Sequence, residues 1–406
     1  MALPAVPRPI LRGMALDLDA VRRALVAEGL DGWLLYDFHG SNPIAAQLTG
    51  LAGGPHMTTR RWYYLIPATG EPRALVHAIE RHNLAHLPGS TSVYAGRDQL
   101  EAGLTRLLEG MSRVAMEYSP RCAIPYISRV DAGTAEAIRE RGVEILSSGD
   151  LVQQFEATWT PAQLASHRAA AEALYRIKDR AFASAAAALA AGRSRTEYDL
   201  QQEMVGWFAD EGLVSDAPPV VAIGGNAGNP HYLPSAASHR PIVPDEVLLL
   251  DLWGKKTDAG AVFADITWVG FTAARVPQEP AEAFGAIVAA RDAAVGLVED
   301  AAAADRDLRG WEVDRAARQV LDARGYGSRI LHRTGHSLGE NVHGNGTHLD
   351  DYETHDDRRL LPRTGFTIEP GLYFESFGVR TEINVYRGER EAVVTGPRQS
   401  EIVTLR

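Results

Sequence analysis

Apolar positions recur at two different periods along this chain, and the change between them divides it. Over residues 17–32, DLDAVRRALVAEGLDG places Leu18, Val21, Leu25 and Val26 near helical spacing, and the element stops at Gly29. WLLYD, at 33–37, is apolar almost without a break, as a buried strand is. RWYYLIP (61–67) and ALVHAI (74–79) read as strands around the turn ATGEP. VAMEY and VEILSS read as strands on either side of a helix-like DAGTAEAIRERG. Strands interleaved with helices predict an α/β domain.

The pattern changes near residue 155. Thr160 is a candidate N-cap and Pro161 occupies the first helical position. About thirty residues of strong helix formers follow, with Ile177, Phe182 and Leu189 recurring among alanines, and the run stops at Gly192. A second helix, capped by Thr196, runs to Gly212. Beyond 217 the strand-like runs are VVAIG, VLLLDLW, AVFADITWVGF, RILH, FTIEP, GVRTEINVY and AVVTG, interrupted by helices near 278–304 and 309–324. This half reads as α+β, an antiparallel sheet backed by helices. The expected domains are 1–157 and 158–406.

Composition narrows the function. The 406 residues are 45% hydrophobic and 23% charged, an ordinary globular balance. The formal net charge is −11, with no run rich in Lys and Arg, so nucleic acid is not an expected partner. A single cysteine, Cys122, excludes an intrachain disulfide and a thiolate metal cluster. The N-terminal stretch MALPAVPRPILRGMALDLDAV lacks the continuous apolar core of a signal peptide, and no stretch reaches the length of a membrane span. The expectation is a cytoplasmic protein without a membrane partner.

The acids are where the pattern breaks. VLLLDLWGKKTDAGAVFADITWVGF folds about Asp258 into a hairpin that sets Asp251 opposite Asp265. Two aspartates on one face between apolar neighbours repel unless a cation or a shared proton compensates. A shifted register with one aspartate in solvent is the simpler alternative for this hairpin taken alone. FTIEPGLYFESFGVRTEINVY repeats the arrangement, with Glu369 and Glu382 almost opposed. Between the hairpins, HRTGHSLGENVHGNGTH (332–348) holds four of the thirteen histidines. Four carboxylates and one imidazole suffice to hold two divalent ions, with the other rings at substrate or behind the ligands.

LLLDLW…ADIT, GHSLG, TIEPGLY and VRTE, in that order, resemble the pita-bread metallopeptidases, the family of methionine aminopeptidase, aminopeptidase P, prolidase and creatinase. The resemblance covers roughly residues 160–406. The N-terminal α/β domain looks like the one carried by prolidase, aminopeptidase P and creatinase. The implied fold is a creatinase-like α/β domain followed by a pita-bread α+β domain. Carried over by position, the metal ligands are Asp251, Asp265, His336, Glu369 and Glu382, with Asp265 and Glu382 shared between two divalent metal ions per chain. Manganese is the expected ion, with zinc or cobalt as alternatives. The resemblance makes Glu369 the acid/base and His231 (in NPHYLP) and His343 (in ENVHG) its catalytic partners at the substrate. His332 and Arg380 join those two histidines in binding substrate. Thirteen residues separate Asp251 from Asp265 where relatives usually have ten, and Trp253 stands where they usually have glycine. Asp258, in the turn TDAG, serves the backbone.

The implied reaction is hydrolysis of Xaa-Pro bonds in a dipeptide, with aminopeptidase P activity on longer peptides as the alternative and a non-catalytic binding module as a third reading. A homodimer is implied by the same resemblance. Trp253, Tyr232, Phe374 and Phe377 are candidate pocket walls. His348 and His355 read as solvated loop residues, Lys255 and Lys256 as a solvated hairpin tip, and Arg60 and Arg61 as surface groups. Arg333 is a candidate partner for Glu340 or for a substrate carboxylate.

Overall fold

A computed structural model describes residues 17–52 and 57–406; most of the N-terminal stretch read above for a leader lies outside the described residues. The chain divides into two compact units that meet in sequence between Glu156 and Ala157.

The first unit is built on a six-stranded mixed sheet in the order Ser90–Tyr94, Arg73–His77, Trp62–Pro67, Gly32–Asp37, Arg113–Met116, Glu144–Ser147. The two-residue period sends Trp33, Leu35, Tyr64 and Ile66 into one core with Val21 and Leu25 of the helix Leu18–Ala27. Leu34, Tyr36, Tyr63 and Leu65 enter the other, with Leu100 of Arg97–Leu107 and Ile138 of Ala132–Arg139. Helices cover both faces, which is why the central strand Gly32–Asp37 is buried throughout and apolar up to its last residue. The helices Pro43–Leu48, Arg97–Leu107 and Gly149–Glu156 are elements the sequence analysis did not single out.

The second unit uses one plan twice: two helices, then an antiparallel hairpin. The helices Pro161–Ala190 and Glu197–Asp210 precede the hairpin of Val247–Lys256 and Ala264–Phe271. The helices Gln278–Ala303 and Gly310–Ala323 precede the hairpin whose strands are Thr364–Ile368 with Gly371–Tyr373 and Gly378–Arg380 with Ile383–Arg387. Thr160 and Thr196 cap the first two helices as expected, accepting from the amides of Gln163 and Asp199. RILH forms no strand: Gly327–Arg329 is a 3-10 turn, and extended chain resumes only at Ser337–Leu338. Among the described residues no helix is long and apolar enough to cross a membrane.

Strand parity decides what faces what. Leu248, Leu250, Leu252 and Ile266 pack with Leu174, Ile177 and Phe208 in the layer of the first helix pair. Phe366, Ile368, Ile383 and Val385 pack with Phe284, Ile287 and Val295 of the second. The intervening residues of both hairpins therefore point away from the helices. The Asp265 amide donates to Asn384 Oδ1 (2.9 Å) and the Thr267 hydroxyl to Glu382 Oε2 (2.7 Å), so these faces meet each other.

His167, fully buried on the first long helix, holds the strand entry. Its Nδ1–H donates to the Phe263 carbonyl (2.7 Å), and its Nε2 accepts from the Thr395 hydroxyl (2.8 Å). Burial pulls its pKa down to about 4 from an ordinary 6.5. The folded chain keeps this ring neutral, so its contribution is complete above pH 6.5 and is lost as pH falls toward 4, amounting to about 3 kcal/mol. His167→Gln can keep both hydrogen bonds without titrating. Its denaturation midpoint should fall less steeply than the wild type's between pH 6.5 and 4; parallel profiles would contradict the assignment.

Candidate active site

The first hairpin is not centred where the sequence suggests. Asp251 lies opposite Thr267, and Asp265 opposite Trp253. The loop turns about Ala259 instead of Asp258, which displaces each partner by two residues. A two-residue shift keeps every side chain on its face, so the aspartates become diagonal neighbours on one surface. Neither reaches bulk solvent: Asp251 is 9% exposed and Asp265 5%. Asp258 sits exposed in the loop, its carbonyl accepting from the Ala261 amide.

The second hairpin keeps the expected register. Ile368 pairs with Ile383 and Gly371 with Arg380, so Glu369 and Glu382 lie across from each other in the gap between two short ladders. Pro370 has no N–H to continue the ladder there. The acids' own amides turn elsewhere, Glu369 N–H to the Thr334 carbonyl (2.7 Å) and Glu382 N–H to the Thr267 carbonyl (3.2 Å). His336 is locked beside them: its amide donates to the Thr367 hydroxyl (3.0 Å) and its carbonyl accepts from the Thr367 amide (2.8 Å). Gly335 permits that approach, because a Cβ there would lie 2.1 Å from the Thr367 carbonyl oxygen.

These elements bring the acids and one imidazole to a point. His336 Nε2 lies 3.5 Å from Glu369 Oε1, 3.6 Å from Asp265 Oδ2 and 4.0 Å from Glu382 Oε1. Its Nδ1 faces the Ser337 carbonyl at 3.2 Å and so carries the proton, leaving an Nε2 lone pair aimed at the carboxylates. Burial drives His336 well below its ordinary pKa. Burial, reinforced by the other acids' charges, lifts Asp265 and Glu382 well above theirs. Asp251 is raised by burial against the pull of Arg380, and Glu369 rises to about 7 chiefly through burial. Asp265 Oδ1 is buried with no hydrogen-bond partner. One ligand atom from each of Asp265, His336 and Glu382 lies within 4.8 Å of the others. Carboxylates facing a lone pair, with an unpaired buried oxygen among them, suit a divalent cation taking O and N donors.

Behind the acids runs a network the sequence reading did not anticipate. Arg380 donates through Nε to the Thr267 hydroxyl (2.9 Å), through one terminal nitrogen to Asp251 Oδ2, and through the other to the Tyr373 hydroxyl (3.2 Å). Tyr373 in turn donates to His332 Nε2 (2.7 Å), and His332 Nδ1–H donates to the Arg333 carbonyl (2.7 Å). Both ring nitrogens of His332 are therefore engaged within the protein, and burial holds its pKa down to about 3. Thr267 follows Asp265 by two residues on the same strand face, the one signal that marked it. His231 and His343 keep exposed surface. The His343 ring packs edge-on against His336, with centroids 4.4 Å apart.

Several peripheral expectations change. His348 is buried and accepts from the Ser337 amide (3.2 Å), so it is part of the scaffold under His336 and not a solvated loop residue. Lys255 is 5% exposed: the strand runs on to Lys256, and Lys255 Nζ donates to the Glu340 carbonyl (2.6 Å). Lys256 is half-buried on the Glu211 carbonyl (2.7 Å). Arg333 is buried near Asp350 (4.0 Å), with its amide on Glu353. His355 is exposed and bonded to Asp351, and Arg60 and Arg61 are exposed, as read. Phe374 and Phe377 stack on each other at the hairpin tip, and the Tyr232 hydroxyl donates to Glu197 (2.5 Å).

The profile of metallopeptidase family M24 matches residues 166–389, more than half of the chain. The Xaa-Pro dipeptidase of Lactobacillus helveticus is 32% identical over 164 residues, which is 40% of this chain and 40% of that protein. The matched region thus spans about two-fifths of that curated relative's length. Among solved structures, dipeptidase PepE from Mycobacterium ulcerans superposes with a TM-score of 0.68 at 23% identity, covering 96% of each chain. The X-Pro aminopeptidase from Thermotoga maritima MSB8 does so with a TM-score of 0.57 at 20% identity, covering 95% of this chain and 99% of that one. These superpositions extend the likeness in fold to both units, the creatinase-like α/β unit and the pita-bread unit. With the family profile lying across both acid-bearing hairpins, the chain belongs to metallopeptidase family M24 and has the family's two-domain pita-bread fold.

Proposed function

We propose that this protein is an Xaa-Pro dipeptidase whose catalytic domain is residues 158–406, following a creatinase-like domain of residues 1–157. Two divalent ions would be held by Asp251, Asp265, His336, Glu369 and Glu382, with Asp265 and Glu382 serving both. The observation that carries the reading is the approach of the His336 lone pair and three carboxylates around the unpartnered Asp265 Oδ1. The dipeptidase assignment draws support from the similarity to the Lactobacillus enzyme. Manganese, a homodimer and a cytoplasmic setting belong to the same reading.

Bound ions of this kind polarise a scissile carbonyl and make water a nucleophile at neutral pH. The chain's own residues do the rest. Glu369 is the least enclosed of the four acids after Asp251, and its carboxyl titrates at about 7 before any cation acts on it. Ionised beside a bound cation, the Glu369 carboxylate would accept a proton from water and return it to the departing proline nitrogen. An amide nitrogen does not leave as its anion, so the enzyme must deliver a proton to the proline nitrogen as the C–N bond breaks. His231 and His343, both exposed and the latter packed on His336, contact the substrate carbonyl and the leaving amine. Arg380 and His332 act from behind: Arg380 orients Asp251, and the Tyr373–His332 pair holds Arg380 in turn. The aminopeptidase alternative differs in what lies beyond the proline, where a dipeptidase must bind a carboxylate and close the cleft.

Purified protein should carry about two divalent ions per chain, whereas His336→Ala should lose metal and more than about a hundredfold in turnover, exceeding the usual effect of a residue behind the ligands. Unchanged turnover in that variant would refute the ligand assignment. A chain that takes up no metal after supplementation would be a binding module. Hydrolysis of Leu-Pro should exceed that of Leu-Pro-Gly; cleavage of the tripeptide alone would replace the dipeptidase with the aminopeptidase.

A further inference from the structure

On the strand Val247–Lys256, the face turned away from the helices reads Leu249, Asp251, Trp253, Lys255. Trp253 is therefore next to Asp251 along the strand and directly opposite Asp265 across it. A large aromatic ring stands on the surface that gathers the acids, and it keeps part of its own surface exposed.

Its packing places it more closely. The indole packs against one small apolar cluster of Val220, Ala222, Ala227 and Leu249, which Tyr232 also joins. It also packs against a second, of Trp159, Val262, Phe263 and Leu338, which Val342 joins as well. Tyr232 follows His231 and Val342 precedes His343. The ring thus packs on the same two clusters as the sequence neighbours of both exposed histidines. Its orientation is fixed: Nε1–H donates to Asp216 Oδ1 at 2.6 Å. Asp216 is itself exposed; burial lowers the pKa values of His343 and Lys255, and the Asp216 charge offsets part of that fall. A residue with no partner but apolar contacts would turn aside for a substrate; a ring pinned by a carboxylate offers a fixed wall.

We propose that Trp253, pinned by Asp216, is a specificity-determining residue that limits the size of the substrate side chain on the N-terminal side of the scissile bond. The inference rests on the peptidase reading above, because a peptide carbonyl brought to the acids must pass its flanking side chain beside this ring. Small residues such as alanine fit the remaining space; phenylalanine competes with the indole for it.

The test compares kcat/KM on Ala-Pro and Phe-Pro, and in parallel on Ala-Ala and Phe-Ala, for the metal-loaded wild type, Trp253→Gly and Asp216→Ala. The wild type should favour alanine over phenylalanine by about tenfold or more, the scale on which a pocket senses added bulk. Trp253→Gly should reduce that ratio by about tenfold, and Asp216→Ala, which frees the ring without removing it, by an intermediate factor. Ratios within about twofold of wild type in both variants would overturn the proposal. Should Trp253→Gly fail to fold, the surface variant Asp216→Ala decides alone. Failure of the Xaa-Pro reading is separable: alanine-terminated peptides would then be cleaved as fast as proline ones, with the size ratio still readable on either series.

Discussion

Mutual repulsion among Asp251, Asp265, Glu369 and Glu382 is the constraint on which this site depends. Carboxylates removed from water and set a few ångströms apart oppose folding unless something positive joins them. Arg380 supplies one compensating charge from the edge, through Asp251. It does not reach the centre, where Asp265 Oδ1 is without a partner and the His336 lone pair points inward. His336 cannot serve as the cation, since burial keeps it neutral. A divalent ion resolves all three conditions together.

The architecture exists to impose that arrangement. Each hairpin is pinned by a helix pair on its apolar face, and the alternation of a β-strand then leaves the other face no choice of direction. Where the second hairpin's ladder opens at Pro370, the amides of Glu369 and Glu382 find carbonyls on neighbouring segments. Thr267 joins the hairpins by accepting from Arg380 and donating to Glu382, so each of its hydroxyl's roles depends on the other. Positioning is thus shared between backbone and side chains drawn from elements more than a hundred residues apart.

How much of this could be read in the sequence follows from its physical basis. Parity survives errors of register: turning the first hairpin about Ala259 instead of Asp258 changed Asp251's partner to Thr267 but not its face. The long helices are legible because Thr160 and Thr196 cap alanine-rich or amphipathic runs. Tertiary burial is not local, and there the reading fails. His348 sits in a polar segment yet packs under Ser337, and Lys255 looks like a hairpin tip yet lies within a strand with its amine on Glu340. RILH has strand composition but follows a tight turn and finds no partner strand. Tyr373 ends the TIEPGLY motif, yet nothing in its local pattern foretells that it holds Arg380 and His332 together.

Trp253 gives the site its individual character. The acids set the chemistry this chain shares with its family, while an indole fixed by Asp216 shapes the space in front of them. The site as a whole depends on the cation. A crystal soaked in manganese and measured above the metal's absorption edge should show anomalous peaks enclosed by Asp251, Asp265, His336, Glu369 and Glu382. Well-ordered side chains at those five positions with no anomalous density among them would contradict it.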